Sequence, residues 1–381
     1  MIQPRPSFDI SACRLSAALA LVLLLCAANV HAALHAVGTE QTLWIAKPLP
    51  EAQGFAVEHR QTGDPPGAMR LAFQRKDAPP IDRMTASDDR LWIAFEGGRI
   101  ESARGERDTI GRWQFQRRLE RSVPEGATLV DIAAGRFLYA LVRIDAAPAL
   151  KRIDEATAPP PSDTETPTER GAEANETEQA PASDDDVEGA SDTADVPAYR
   201  LLRLRAARWE RIDLPTPWEG VGRPFLVRSS GIDQPLQLVV APDVGQSGLV
   251  VVHQWDGGGW TSKSLDVPTE DLSEVIAVSG QTVLAQRVDA ETLTVGFQVL
   301  RPEGVGRPGT LTSDVAAAPQ WAVAGFGRWI CLLTLDADGQ LEMSQLDLSG
   351  QPVDAAPLEI VQPNPLTQDP VLRAALQARR G

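Results

Sequence analysis

One sequence pattern recurs along the chain at nearly constant spacing. The segments TLWIAKP and RLWIAFE place the same four letters, LWIA, 48 positions apart, around Trp44 and Trp92. Similar pairs of apolar runs joined by a turn follow at four further places, and the six are indexed by Trp44, Trp92, Tyr139, Leu238, Leu284 and Ile330. The intervals are 48, 47, 99, 46 and 46 residues. A period of roughly 20 to 50 residues indicates a repeat architecture.

The long interval contains a strongly acidic segment. Residues 155–197 hold thirteen acidic residues against one base, Arg170, in a chain whose net charge is −16. Pro, Thr, Ser, Ala, Glu and Asp dominate the segment, so it cannot bury enough apolar surface to offset the entropy of folding. We expect a disordered, solvated insertion between the second and third strands of the third repeat. The alternative is a tether that attracts calcium or polycations. The acidic charge disfavours nucleic acid as a partner.

Within each repeat the dominant pattern is alternation. The runs 202–205 and 210–214 alternate apolar and polar residues, which is typical of half-buried strands. No segment of the core shows the 3.6-residue period of an amphipathic helix. Each repeat is therefore predicted to form four short strands, the fourth often beginning with Trp.

Four short strands per repeat, six repeats and a length of 46 to 48 residues resemble the blades of β-propeller repeat proteins, including the kelch and WD40 groups, over residues 33–361. The resemblance implies an all-β fold, a β-propeller of about six four-stranded blades. The signature dipeptide of the WD40 group occurs once, as Trp255-Asp256, and the paired glycines of kelch blades are missing from most repeats. No functional residue of either group can therefore be assigned to a position of this chain.

The N-terminal segment is typical of a secretory signal. Residues 1–32 carry Arg5 and Arg14, an apolar run over 15–30, and Val30-His31-Ala32 at a small-residue cleavage site. The apolar run is shorter than the roughly 20 residues that a membrane-spanning helix needs. We expect an exported protein, periplasmic or extracellular, with no membrane span after cleavage. The alternative is an uncleaved N-terminal anchor.

Residue types that carry catalysis are scarce. Beyond the signal, one cysteine remains, Cys331, in an apolar run where a free thiol behaves as a small hydrophobe. Three histidines remain, His35, His59 and His253, and no two are close in sequence. The sequence therefore predicts no catalytic residue, no cofactor and no metal site.

Two residues are candidates for function. Trp218 lies in the turn-rich segment LPTPWEGVGRP and is a candidate exposed contact residue. Asp131 is the main acid near the predicted inner strands and is a candidate acid of the central channel. The C-terminal tail, residues 362–381, is predicted to contain a short helix that starts near Asp369-Pro370.

These patterns favour an exported binding or scaffold module that takes an envelope or extracellular protein or a saccharide. Loops at one end of a rigid propeller are the expected binding surface. The alternative is a propeller-type hydrolase or metal-dependent lactonase with its site in the central channel. Because Ala, Val and Ile dominate the predicted inner strands, the sequence favours binding over catalysis.

Overall fold

The computed structural model describes residues 33–144 and 198–360, apart from short gaps at 50–52, 66, 88–89, 108–112, 217, 219, 229–233, 245, 269–271, 290–291, 302–303, 307–308, 314–319, 337 and 354–358. The predicted signal, acidic insertion and C-terminal helix lie outside these residues. None of the described segments forms an α-helix. Among the same residues, no helix is long and apolar enough to cross a membrane.

The strands form six antiparallel sheets, which are the blades. Blade 1 contains β1 (His35–Gly38), β2 (Thr42–Pro48), β3 (Gly54–Gln61) and β4 (Ala68–Lys76); blade 2 contains β5 (Ile81–Ser87), β6 (Arg90–Phe95), β7 (Ile100–Arg107) and β8 (Trp113–Leu119). Blade 3 contains β9 (Ala127–Ala134), β10 (Leu138–Ile144), β11 (Ala198–Arg205) and β12 (Arg208–Ile212); blade 4 contains β13 (Arg223–Arg228), β14 (Leu236–Ala241), β15 (Val250–Trp255) and β16 (Trp260–Leu265).

The last two blades are less regular at their outer edges. Blade 5 contains β17 (Leu272–Val278), β18 (Gln281–Asp289) and β19 (Thr294–Arg301), and two short strands, β20 (Gly304–Val305) and β21 (Gly309–Thr312), both pair with β19. Blade 6 contains β22 (Gln320–Phe326), β23 (Trp329–Leu335), β24 (Leu341–Asp347) and β25 (Pro352–Val353).

The blades close into a ring. The first strand of each blade contacts the first strand of the next, and β22 of blade 6 contacts β1 of blade 1. A final strand, β26 (Glu359–Ile360), runs parallel to β4, with Glu359 opposite Ala68. The C-terminal end of the propeller is therefore hydrogen-bonded to the outer strand of the first blade, which joins the two ends of the ring.

Among the described residues, each of the six junctions between blades contains a hydrophobic cluster, and a further small cluster surrounds Ile144. Trp44 and Phe95 belong to the cluster between blades 1 and 2, and Phe297 and Leu332 belong to the cluster between blades 5 and 6. The other four junctions have clusters of the same kind. Each sheet thus buries both faces against its neighbours, because an isolated four-stranded sheet would leave them exposed to water.

Glycines allow the inner strands to approach closely at one end of the ring. A Cβ atom on Gly38 would lie 1.7 Å from the carbonyl oxygen of Gly325, and one on Gly325 would lie 2.1 Å from that of Ala277. These contacts are with backbone of the next blade, which cannot move aside as a flexible side chain could. The junctions between blades 1, 6 and 5 therefore have no space for a side chain at these positions.

The predicted fold class is confirmed: the chain is all-β, with six four-stranded blades. Residues 145–197, which include the acidic insertion, separate Ile144 from Ala198, and these two residues pair across β10 and β11, the second and third strands of blade 3. Its attachment lies at the end of the blade opposite the turn that joins β9 to β10.

Replacing Gly38 by Ala is expected to destabilise the fold. The new Cβ would overlap a backbone carbonyl, so we expect a loss of about 1–3 kcal/mol or more in the free energy of unfolding. The matched control is Gly63→Ala, since a Cβ at Gly63 meets no atom within 4 Å. Urea unfolding of both variants measures the effect, and equal stabilities would contradict this account of the ring.

Candidate functional site

The first candidate site is the central channel. It encloses about 350 Å³ and is lined by the inner strands of all six blades. Polar side chains concentrate in the first halves of two strands, with Asp82 and Arg83 in β5 and Ser273 and Glu274 in β17. His35, the first residue of β1, lies in the same lining. The channel therefore has one polar end, and its other end is formed mainly by small and apolar residues.

Asp131 lies in the wall of this channel. The amide of Ile132 donates a hydrogen bond to Oδ1 over 2.8 Å, and the amide of Leu226 in blade 4 donates to Oδ2 over 2.7 Å. The Nε atom of Arg83, from blade 2, is 3.8 Å from Oδ1. Burial raises the pKa of Asp131 to about 6, although the two amides and Arg83 oppose this rise. The carboxylate thus connects the inner strands of three blades.

Glu274 faces open space inside the channel and accepts no hydrogen bond from the described residues. Protein surrounds that space, and the resulting desolvation raises the pKa of Glu274 to about 7. The negative charge of Asp131 adds to the rise, and Arg83 opposes it. Between about pH 6 and pH 7 the channel therefore contains one carboxyl group, Glu274, that is mostly protonated and another, Asp131, that is mostly ionised.

His35 remains neutral in this environment. Burial, reinforced by the charge of Arg83, lowers the pKa of His35 to about 4. Over residues 33–144 and 198–360, gaps excepted, no group of three or more His, Cys, Asp or Glu side chains could hold a metal ion. The described channel residues therefore supply acid–base groups and no metal-binding cluster.

The second candidate site is a cavity of about 420 Å³ between blades 3 and 4, here called the interblade cavity. Turns from both blades form it, and all lie at one end of the propeller. Its lining consists of Arg136, Phe137, Tyr139, Arg203, Arg228, Gln234, Pro235, Leu236, Gln254, Trp255, Asp256 and Gly257. The insertion is attached at the opposite end of blade 3, so the cavity and the attachment points do not share a face.

Aromatic rings form one wall of the interblade cavity. Trp255 lies edge-on to Tyr139, with ring centroids 6.1 Å apart, and packs beside Trp260 at 6.3 Å. Tyr139 is buried, whereas Trp255 is partly exposed. The indole nitrogen of Trp255 has no hydrogen-bond partner among the described residues. A ligand in the cavity would therefore find a flat apolar face and a free N–H donor on the same side chain.

Three guanidinium groups also line the interblade cavity. Arg136 and Arg203 both lie over the ring of Phe137, with their Cζ atoms 5.4 and 5.3 Å from its centroid. Arg203 also donates hydrogen bonds to Glu210 on the adjacent strand, over 2.6 and 3.1 Å. Arg228 donates to the hydroxyl of Tyr139 over 3.2 Å. These contacts hold two of the three guanidinium groups in fixed positions.

Trp218, the predicted contact residue, lies outside the interblade cavity. It is half-buried against the apolar cluster between blades 3 and 4, with its ring 4.9 Å from that of Tyr199. Its indole N–H donates to the carbonyl of Val221 over 3.0 Å. Packing accounts for these contacts, and a role in binding stays a prediction.

Other sequence predictions concern residues that the structure places in the core. Cys331 is fully buried, and burial raises the pKa of its thiol to about 12, as expected for a thiol that packs as a hydrophobe. His253 is buried and forms a hydrogen bond with Ser262 over 2.7 Å.

Sequence reasoning missed several residues of both sites. Glu274 and Asp82 each lie two positions before the apolar residues that predict the inner strands of their blades, so the pattern did not indicate them as channel residues. The sequence marked Trp255 only as half of a dipeptide and did not single out Phe137. No local pattern distinguishes these residues, because blades 3 and 4 bring them together from separate turns.

No family model matches the chain, and no curated protein sequence matches it. Among solved structures it is similar to AofleA from Arthrobotrys oligospora, with a TM-score of 0.50, 8% identity and coverage of 87% of each chain. A fungal lectin from Aleuria aurantia, described as a six-bladed β-propeller with a fucose recognition mode, gives a TM-score of 0.46 and 9% identity over 86% of this chain and 96% of that one.

A puromycin-hydrolyzing peptidase from Mycobacterium tuberculosis gives a TM-score of 0.36 and 13% identity over 87% of this chain and 54% of that one. The six sheets of the ring define the class as six-bladed β-propeller. The similarity to AofleA, at 8% identity, concerns the fold alone. The finer resemblance to the kelch and WD40 groups is not confirmed.

Replacing Glu274 by Gln is expected to change how stability depends on pH. Between about pH 4.5 and 7 the folded state retains a proton on Glu274 that the unfolded chain has released, so this group destabilises the fold increasingly as pH rises. The stability of the variant relative to the unsubstituted protein should therefore increase from about pH 5 to about pH 7.5 and then level off.

Melting temperatures of both proteins across this pH range provide the measurement. Contributions from His35 and His59 are present in both, so the difference reports the titration of Glu274 together with its coupling to Asp131. Glu125→Gln, which removes an exposed carboxylate outside the channel, is the matched control. A difference that does not vary with pH would contradict the assignment of a raised pKa to Glu274.

Proposed function

We propose that this propeller is a saccharide-binding module whose binding site is the interblade cavity. The observation that carries the proposal is that Trp255, a partly exposed indole, lines the same cavity as guanidinium groups that contacts with Phe137 and Tyr139 hold in place. Lectins occur among the similar six-bladed propellers, but the proposal rests on the cavity.

The chemistry of the lining fits a sugar ring. A pyranose has one face of C–H groups, which packs against an aromatic ring, and a rim of hydroxyls that need directional partners. Trp255 offers the aromatic face, and the arginines and the carboxamides of Gln234 and Gln254 offer donors and acceptors around it. The volume, about 420 Å³, exceeds what one monosaccharide occupies and fits a short oligosaccharide.

The site is built on rigid elements. Tyr139 and Leu236 are buried residues of β10 and β14, and both belong to the apolar cluster that joins blades 3 and 4. Because this cluster fixes the angle between the two blades, it also fixes the distance across the cavity. Binding therefore requires little ordering of protein groups, which reduces its entropic cost.

The location of this function is part of the proposal. Residues 1–32 carry a basic start, an apolar run and a small-residue cleavage site, the three parts of a secretory signal. We accordingly place the module outside the cytoplasm, where it would meet glycans of the envelope or the surroundings.

Replacing Trp255 by Ala is expected to weaken saccharide binding by about thirtyfold or more, because it removes the main apolar face of the cavity. Binding is measured by glycan array and then by calorimetry on the full chain, recovered from the periplasm or the medium. Recovery from the cytoplasm alone would contradict the proposed export.

The matched control is Trp218→Ala. Trp218 is also a half-buried indole packed against the cluster between blades 3 and 4, but it does not line the interblade cavity. We expect this variant to lose stability and to retain affinity. Equal losses of affinity in the two variants would argue against the cavity as the binding site.

A hydrolase with its site in the central channel is the second candidate. Glu274, with its pKa raised to about 7, would be a general acid, and Asp131, with a pKa of about 6, would be ionised beside it near neutral pH. Asp131 is held by two backbone amides, so its position is fixed, whereas Glu274 is free to face a substrate. The described residues give no support to the metal-dependent form of this candidate.

Chromogenic glycoside, ester and peptide substrates test the second candidate. We expect any genuine turnover to fall by at least about a hundredfold in Glu274→Gln, which cannot donate the proton. Turnover that survives this substitution would place the activity elsewhere, for example in a contaminating enzyme.

A further inference from the structure

We infer that the ligand of the interblade cavity is an anionic saccharide, one that carries a carboxylate or a sulfate. This inference rests on the proposed saccharide-binding function and specifies its substrate class. Its basis is the charge of the lining and the way in which the arginines are held there.

The lining is basic in a strongly acidic protein. Arg136, Arg203 and Arg228 line the cavity, and Asp256 is the only acid among the described lining residues. Glu210 lies behind Arg203 and neutralises one of the three positive charges, so a net positive charge remains even when Glu210 is included. The chain as a whole carries −16. A general preference for basic residues therefore does not explain the charge of the cavity.

Asp256 does not compensate the arginines. Its Oδ1 accepts hydrogen bonds from the amides of Gly258 and Gly259, over 2.9 and 3.0 Å, within its own turn. These bonds lower the pKa of Asp256. The carboxylate is therefore ionised and engaged with the backbone of the β15–β16 turn, and no ion pair joins it to a cavity arginine within the described residues.

Arg136 and Arg203 are held at one aromatic ring. Their guanidinium groups both contact Phe137, which limits their motion. Arg136 is exposed and forms no ion pair with any described residue. Guanidinium groups with remaining N–H donors are suited to an anion with several oxygens, which a neutral hydroxyl cannot match in strength.

Gly135 provides the space that Arg228 occupies. A Cβ on Gly135 would lie 2.3 Å from Nε of Arg228 and 2.5 Å from its Cζ. Arg228 lines both the channel and the interblade cavity, so its side chain passes from the inner strand of blade 4 toward the turn of blade 3. The missing side chain at position 135 lets the guanidinium group reach the cavity.

The test compares matched pairs of sugars on the full chain by calorimetry. The probes are glucuronate with glucose, galacturonate with galactose, and N-acetylglucosamine 6-sulfate with N-acetylglucosamine. We expect at least one anionic member to bind about tenfold or more tightly than its neutral partner. This preference should decrease when the salt concentration is raised from about 0.05 M to about 0.5 M.

Variants connect the preference to the arginines. Arg136→Gln should reduce the affinity for the anionic sugar by about threefold to tenfold and leave that for the neutral sugar unchanged. Gly135→Ala, which displaces the flexible end of Arg228 and keeps its charge, should have a similar selective effect. Arg208→Gln is the control, because Arg208 is exposed on the same blade, carries the same charge and lies outside the lining.

The results of these experiments distinguish a failure of this inference from a failure of the proposed saccharide-binding function. This inference would be overturned if neutral and anionic sugars bound with equal affinity. If that binding were lost in Trp255→Ala, the proposed saccharide site would still be supported. An equal loss of affinity for both sugars in Arg136→Gln would also overturn this inference, because Arg136 would then contribute to binding without distinguishing a charged sugar from a neutral one. If no sugar of either class binds, the proposed function and this inference both fail.

Discussion

The structure depends on the need of every blade to bury two faces. A four-stranded sheet in this chain is too small to protect its own apolar residues, and each of the six clusters is shared by two successive blades. No blade can therefore be stable without both neighbours, and the ring has to close. The close backbone contacts at Gly38 and Gly325 and the position of every cavity wall follow from that closure.

This dependence explains which parts of the molecule could be predicted from the sequence. The repeat length, the alternation and the turns reflect local strand geometry, so the six blades were predictable from the spacing of residues such as Trp44 and Trp92. The interblade cavity joins Phe137 and Arg203 of blade 3 to Trp255 of blade 4. No local sequence pattern indicates such a combination, because the neighbouring blades bear different residues at the corresponding turns.

The residues of the central channel could likewise be predicted only in part. Asp131 could be identified because it is the first residue of the predicted inner strand of blade 3, whereas Glu274 lies two positions before the predicted inner strand of blade 5. The raised pKa values of the two carboxyls arise from the enclosure of the channel by all six blades. Electrostatic properties of this kind belong to the assembled ring and not to any one strand.

The pairing of β26 with β4 sets an order for folding. Glu359 lies opposite Ala68, about 290 positions earlier in the chain. Blade 1 is synthesised first, yet its outer strand has no partner on that side until almost the whole propeller has emerged. Contacts between such distant segments form slowly, because a long loop must close before they add stability. Ring closure is thus the step at which a partly folded chain, with an open strand edge, is most exposed to pairing with another molecule.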